Sequence, residues 1–127
     1  MESISREELD NIESIAKKTI AFVEVLKELG FYKSEILDLA LEYFKKLSNN
    51  KEIKINYDNF RKFVEDYREF DESIKNKIKK DLCEFLTSNG VNIKEISINR
   101  KKILKLDVNF KDRRKVIEIV QKFIEKH

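Results

Sequence analysis

Most of the residue types that carry catalysis are scarce in this chain of 127 residues. The only histidine is His127 and the only cysteine is Cys83. A nucleophilic triad, a histidine-based metal site and a zinc-binding cysteine cluster therefore lack their usual components. The two glycines, Gly30 and Gly90, stand too far apart to form a glycine-rich loop that cradles phosphates. The composition argues against an enzyme and predicts no catalytic residue, no metal and no cofactor.

The residues that remain for chemistry are charged, and they are spread unevenly. Residues 1–70 hold 12 basic and 15 acidic residues, a net charge of −3, whereas residues 71–127 hold 15 basic and 9 acidic residues, a net charge of +6. The basic residues of the second part form three groups, which are Lys75, Lys77, Lys79 and Lys80; Arg100, Lys101 and Lys102; and Lys111, Arg113, Arg114 and Lys115. Grouped lysines and arginines suit contacts with phosphates.

A long helix is predicted to open the chain. Ser5 and Glu8 have the spacing of a capping box, and apolar residues then recur close to every 3.6 positions until Gly30, which can form a left-handed C-terminal cap. The predicted helix covers residues 5–29. Its apolar set also includes Phe22 and Val25, outside the narrowest inward arc, so we expect either a homodimer interface on this helix or packing across the rest of the chain.

Three shorter helices are predicted next, at about residues 34–47, 58–68 and 71–86. Ser34 and Asp71 are the expected N-caps of the first and third of them, and Asn89-Gly90 ends the third. Between the first two, residues 51–57 alternate polar and apolar side chains, which predicts a short extended segment.

From Val91 onward the hydrophobic period changes to two, which predicts a β-hairpin. Ile96 and Ile98 follow Ile93 with an offset that suggests a bulge. The return strand alternates cleanly, with an apolar set of Leu104, Leu106, Val108 and Phe110. Residues 99–102 are the predicted tip, and a last helix covers about residues 111–125. We therefore expect one mainly α domain of the α+β class across residues 1–127.

On a helical wheel, the fourth helix presents Ser73, Asn76, Lys77 and Lys80 opposite its apolar stripe, with Lys75 and Lys79 at the edges. Such a face suits phosphate contacts, and Asn76 is matched to adenine edges. A solvated lysine face is the alternative interpretation. At the hairpin tip, three positive charges suit either a nucleic-acid backbone or the protection of an edge strand from pairing.

The order of elements from residue 34 onward resembles the winged helix-turn-helix family of DNA-binding domains. The stretch from Ser73 to Val91 is similar to the passage from recognition helix to wing, because a basic helix precedes a glycine and then a strand. The resemblance implies duplex DNA as the partner. Together with the basic groups and the outward face of the fourth helix, it predicts binding through Ser73, Lys75, Asn76, Lys77, Lys79, Lys80, Arg100, Lys101, Lys102, Lys111, Arg113 and Arg114. The glycine-free turn Glu69-Phe70-Asp71 departs from the pattern, and its acidic residues would repel phosphates or stabilise the helix dipole.

These features predict a non-enzymatic DNA-binding protein, either a transcription regulator or a replication accessory. The alternative is a protein-interaction subunit of a larger assembly that makes no nucleic-acid contact. No apolar run approaches the roughly 20 residues of a membrane helix, so we expect no membrane partner and a cytoplasmic location. Cys83 is expected to be either a redox-sensing thiol beside Lys79 and Lys80 or a plain structural residue.

Overall fold

The computed structural model describes residues 6–49 and 56–126. Within these residues the chain forms five α-helices and one antiparallel hairpin, and the mainly helical α+β class is confirmed. The elements are α1 (Arg6–Leu29), α2 (Lys33–Leu47), α3 (Tyr57–Asp66), α4 (Glu72–Ser88), β1 (Ile93–Ile98), β2 (Lys101–Leu106) and α5 (Arg113–Lys126), with a 3₁₀ turn (Phe110–Asp112) before α5.

Helix α1 is the centre of the structure. It packs against α2, α4 and β2, and both Phe22 and Val25 are fully buried within the chain. The wide apolar face is thus covered by the protein itself, as hydrophobic burial requires. Because Phe22 and Val25 are covered within the chain, they no longer argue for a homodimer through this helix, and that homodimer stays a prediction.

Two helices end at the predicted glycines. Gly30 follows α1 with a φ of 92°, and Gly90 closes α4 with a φ of 84°. At the end of α4 the Val91 N–H donates to the Leu86 carbonyl at 3.0 Å, and the side chains of both residues are buried. This hydrogen bond and its apolar contact form a Schellman motif, which fixes the direction in which the hairpin leaves α4.

The predicted caps are partly correct. Asp71 is the N-cap of α4, since its side chain accepts hydrogen bonds from the Ser73 and Ile74 N–H groups. Ser34 is not a cap, because α2 begins one residue earlier and Tyr32 occupies the N-cap position. There the Glu35 carboxylate accepts from the Tyr32 N–H at 2.7 Å and satisfies the helix start instead. The capping box at Ser5 and Glu8 lies outside the described residues and side chains.

Helix α3 and its connections differ from the prediction. The helix ends at Asp66 instead of continuing to Arg68, and residues 67–71 form an extended connection to α4, not a tight turn. Asn56, expected in the extended segment, is the N-cap of α3, and its side chain accepts from two backbone N–H groups. The remainder of that segment, residues 51–55, lies outside the described residues. Helix α3 packs on α2, whereas α4 packs on α1 and α5.

The hairpin is regular and shorter than predicted. The register runs without a bulge from Ile93 opposite Leu106 to Ile98 opposite Lys101, so the turn holds only Asn99 and Arg100. Strand β2 ends at Leu106. Phe110, expected as the last apolar residue of the return strand, lies instead in the 3₁₀ turn before α5 and is 82% exposed. Helix α5 starts at Arg113, two residues later than predicted. None of the helices in the described part of the chain is long and apolar enough to cross a membrane.

Candidate nucleic-acid interface

The outward face of α4 carries the polar set that the helical wheel predicts. Ser73, Asn76, Lys77 and Lys80 are all exposed, while Leu82 and Leu86 are fully buried on the opposite side. Residues three and four apart lie about 5–6 Å from each other on a helix surface, so the two lysine ammonium groups and the Asn76 amide form one compact patch. The exposed carboxylate of Glu84 limits this patch at one end.

Lys75 and Lys79 do not belong to that patch. Their Nζ atoms lie 2.6 and 2.8 Å from the two carboxylate oxygens of Glu28 on α1, and their side chains are 14% and 20% exposed. Burial alone would raise the pKa of Glu28, but hydrogen bonds from both lysines outweigh it and hold that pKa below its ordinary value. These two predicted contacts instead bind α4 to α1.

Ser73 stands at the edge of an acidic region. Its hydroxyl donates to Asp71 Oδ1 at 2.7 Å, and Asp71 lines an open cleft of about 590 Å³ between α1 and the start of α4. Four carboxylates and two cations line this cleft, so acidic groups are in excess there: Asp10, Glu13, Glu69 and Asp71, with Lys17 and Arg68. The hydroxyl of Ser73 is therefore engaged, and like charge disfavours a phosphate near it.

Arg100 occupies the tip of the hairpin in an unusual backbone conformation. Asn99 has a φ of 50° and Arg100 a φ of 66°, as in a two-residue type I′ turn. Asparagine tolerates this region, but an arginine there costs about 1–2 kcal/mol relative to an ordinary φ. The Arg100 side chain is exposed and has no ion pair or hydrogen bond with the described residues.

Lys101 and Lys102 belong to β2, not to the tip, and point to opposite faces of the hairpin. Lys102 is 79% exposed, with its Nζ atom 3.9 Å from a Glu95 carboxylate oxygen. Lys101 lies opposite Ile98 and shares the outer face of the hairpin with Lys94 and Lys105, which lie opposite each other. Those last two lysines are missing from the predicted set, although the period-two pattern places them beside Lys101.

Arg113 is a structural residue. Its guanidinium forms a two-point ion pair with Glu35, donates to the Gly30 carbonyl at 3.3 Å and stacks 3.7 Å from the centre of the Tyr32 ring. Burial alone would raise the pKa of Glu35, yet the hydrogen bonds from Arg113 and the Tyr32 N–H lower it. The side chain is 13% exposed, and it fastens the start of α5 to the junction between α1 and α2.

The other basic residues around the start of α5 remain outward. Lys111, Arg114 and Lys115 are exposed and make no ion pair with the described residues. Lys115 lines a cleft that also contains Gly90 and Asp107, where α4 ends and the hairpin begins. The start of α5 therefore lies at the base of the hairpin.

The end of α4, the base of the hairpin and the start of α5 meet at this junction. With a rise of about 3.3 Å per strand residue, Arg100 at the tip lies roughly 17 Å from the base. With about 1.5 Å per helix residue, Lys80 lies about 12 Å along α4 from its last residue. Of the three groups, only the one at the start of α5 therefore lies at the junction, and Arg100 and Lys80 lie away from it.

Cys83 is buried, and burial raises the pKa of its thiol, so it lacks the thiolate character of a redox-sensing cysteine. Across residues 6–49 and 56–126, no group of three histidine, cysteine or carboxylate side chains is placed to hold a metal ion.

Comparison of the chain with protein-family models, with curated proteins and with solved structures found no match.

Proposed function

We propose that the protein binds duplex DNA without catalysing a reaction, as a cytoplasmic transcription regulator or replication accessory. In this proposal the α4 patch of Asn76, Lys77 and Lys80 contacts the DNA together with the hairpin tip. Lys111, Arg114 and Lys115 add phosphate contacts at the hairpin base. The arrangement of a basic helix followed by a wing corresponds to the winged helix-turn-helix resemblance.

Arg100 is the single observation that carries the proposal. Glycine would adopt a φ of 66° without steric cost, yet the chain places there a long cation that makes no hydrogen bond or ion pair with the described residues. A strained residue whose side chain points only to solvent is explained by a ligand outside the chain. A guanidinium at the apex of a narrow hairpin suits a phosphate or the minor groove.

The ion pairs of the fold divide the basic residues into those already paired within the chain and those available to DNA. Lys75, Lys79 and Arg113 are satisfied by Glu28 and Glu35, so their contribution to binding is small. The basic residues that stay exposed support contacts with DNA phosphates, and they are Lys77, Lys80, Arg100, Lys101, Lys102, Lys111, Arg114 and Lys115. Such contacts make the affinity for DNA fall with salt concentration, because each neutralised phosphate releases counterions.

Fluorescence anisotropy with a labelled DNA duplex at two or more salt concentrations tests the proposal. We expect affinity to fall steeply with salt. Replacing Arg100 by Gly should weaken binding and reduce the slope of log affinity against log salt by about 0.9, the value for one phosphate contact. The same change should stabilise the fold by about 0.5–1 kcal/mol, since it relieves the left-handed strain.

Lys45→Ala provides the control, because Lys45 is exposed on α2, a helix that carries none of the proposed contacts. Its affinity and salt slope should equal those of the unmodified protein. Absence of binding at low salt, or equal losses for Arg100→Gly and Lys45→Ala, would contradict the proposal. A single-stranded oligonucleotide of the same length shows whether a duplex is required.

A further inference from the structure

Among residues 6–49 and 56–126, β2 is the one strand that pairs with β1, so the other edge of β1 has no partner strand there. Asn92 and Asp107 form a hydrogen-bonded pair, in which the Asp107 N–H donates to the Asn92 carbonyl at 2.9 Å. In an antiparallel ladder hydrogen-bonded and non-hydrogen-bonded pairs alternate, so Ile93, Glu95 and Ser97 direct their N–H and C=O groups away from β2. Among the described elements β2 is the principal neighbour of β1, and it is β2 that packs on α1.

Two of the usual protections of an edge strand, a proline and a bulge, are absent from β1, which is six residues long. Its charged side chains are Lys94 and Glu95. Ser97 and Ile98 are exposed, as is Lys102 on the strand opposite, so the tip half of the hairpin projects beyond the body. We therefore expect room for a second strand beside this half of β1.

We propose that β1 pairs antiparallel with β1 of a second copy of this chain, about a two-fold axis at Ile96. Two hairpins then form one four-stranded sheet, and each body lies beyond the tip of the other hairpin. Glu95 lies opposite the partner's Ser97 in a hydrogen-bonded pair. By symmetry, Ser97 lies opposite the partner's Glu95 in a second such pair. Four inter-chain main-chain hydrogen bonds result.

The side chains favour this register over those centred on Glu95 or Lys94. A two-fold axis perpendicular to the sheet keeps each side chain on its own face, so the central residue must lie opposite its own copy. Centring on Glu95 or on Lys94 would place like charges directly opposite, which is destabilising. Centring on Ile96 places an isoleucine against an isoleucine and a Glu95 carboxylate beside a serine hydroxyl that can donate to it.

An apolar row supports the same pairing. Ile96 lies opposite Ile103 on the outer face of the hairpin, and neither belongs to the buried core. Ile98, on the same face, is 46% exposed. In the dimer the two Ile96 side chains adjoin, and with the two Ile103 side chains they form a row of four isoleucines across the sheet. Association removes part of this surface from water.

Disulfide trapping tests the register directly. Residue 96 faces its own copy in a non-hydrogen-bonded pair, in which the Cα atoms lie about 4.5 Å apart, within the range that a disulfide spans. In a Cys83→Ser background, Ile96→Cys should form a covalent dimer with oxidised glutathione, and Lys94→Cys should not. A covalent dimer from Glu95→Cys but not from Ile96→Cys, or from neither, would overturn the proposal.

Sedimentation velocity over a range of concentrations tests the edge itself. Ser97→Pro removes an N–H that points away from β2, so the hairpin keeps its own hydrogen bonds while the dimer loses two. We expect its dimer dissociation constant to rise about tenfold or more with an unchanged Tm, whereas Ser97→Ala, which keeps the N–H, should behave as the unmodified protein. A purely monomeric protein, or dimers unaffected by Ser97→Pro, would refute the pairing. These measurements use no DNA, so they stand independently of the proposed function.

Discussion

Arg113 and Arg114 are adjacent in the sequence and identical in chemistry, yet the structure gives them opposite surroundings. The Arg113 guanidinium is held by Glu35, the Gly30 carbonyl and the Tyr32 ring, whereas Arg114 is exposed. A charged hydrogen-bonded pair with little exposure is costly to break from one side, because the remaining charge loses its partner. The two arginines therefore serve stability and surface charge respectively.

Replacing Arg113 by Ala should lower the free energy of unfolding by about 2–3 kcal/mol, since it leaves the Glu35 carboxylate half-buried and unpaired. Urea denaturation followed by circular dichroism measures this. Arg114→Ala is the matched control and should change the unfolding free energy by less than about 0.5 kcal/mol. In the anisotropy assay Arg114→Ala should bind DNA more weakly. Equal stability of the two variants would show that the Arg113 contacts carry no net energy.

At the scale of the element, α4 divides its four lysines between two faces. Lys75 and Lys79 join Glu28 of α1, while Lys77 and Lys80 face outward. The helical period fixes which lysines share a face, but only the position of α1 decides which face is used for packing. One helix thus provides both an interhelical ion-pair network and a candidate binding surface.

The Glu28 network predicts a pH dependence of stability. The pKa of Glu28 is lowered in the folded protein, so its contribution is fully present above the ordinary carboxyl pKa near 4.5 and is lost as the pH falls through the folded value. Glu28→Gln should be less stable than the unmodified protein at pH 7, and the difference should shrink progressively below about pH 4.5. Urea melts between pH 3 and pH 7 measure it. A difference that is constant over this range would contradict the role of the ionised carboxylate.

At the scale of the whole molecule, α1 organises the fold. Its apolar residues contact elements on both sides, and the Phe22 ring stacks on Tyr43 of α2 with ring centres 4.3 Å apart. A core with one central helix depends strongly on that helix, because each buried side chain there supports more than one neighbouring element.

Phe22→Ala should destabilise the protein by about 3–5 kcal/mol, through lost burial and the cavity left behind. Since small domains are stable by only about 5–15 kcal/mol, the variant should melt far earlier in a thermal scan. Ile12→Ala, at a residue that is 55% exposed, should leave Tm nearly unchanged. A large loss at Ile12 that depends on protein concentration would instead indicate the homodimer through α1.

Much of the fold follows from local patterns. The helical periods, the Asp71 cap, the Gly30 and Gly90 termini and the basic hairpin depend on contacts within a few residues, and the structure contains each of them. The errors also have local causes. A two-residue turn with positive φ at Arg100 lacks the usual glycine, so the hydrophobic pattern predicted a four-residue tip and a bulge in the first strand.

The sequence by itself determined a mainly helical chain with a hairpin and a basic second half, because hydrophobic period, capping and charge are properties of neighbouring residues. Only the tertiary structure decided which cations stay available. Lys79 pairs with Glu28, 51 residues away in the chain, and Arg113 pairs with Glu35, 78 residues away. Lys75 shares the Glu28 carboxylate with Lys79. No local pattern encodes such pairs, since they form only when packing brings distant segments within a few ångströms.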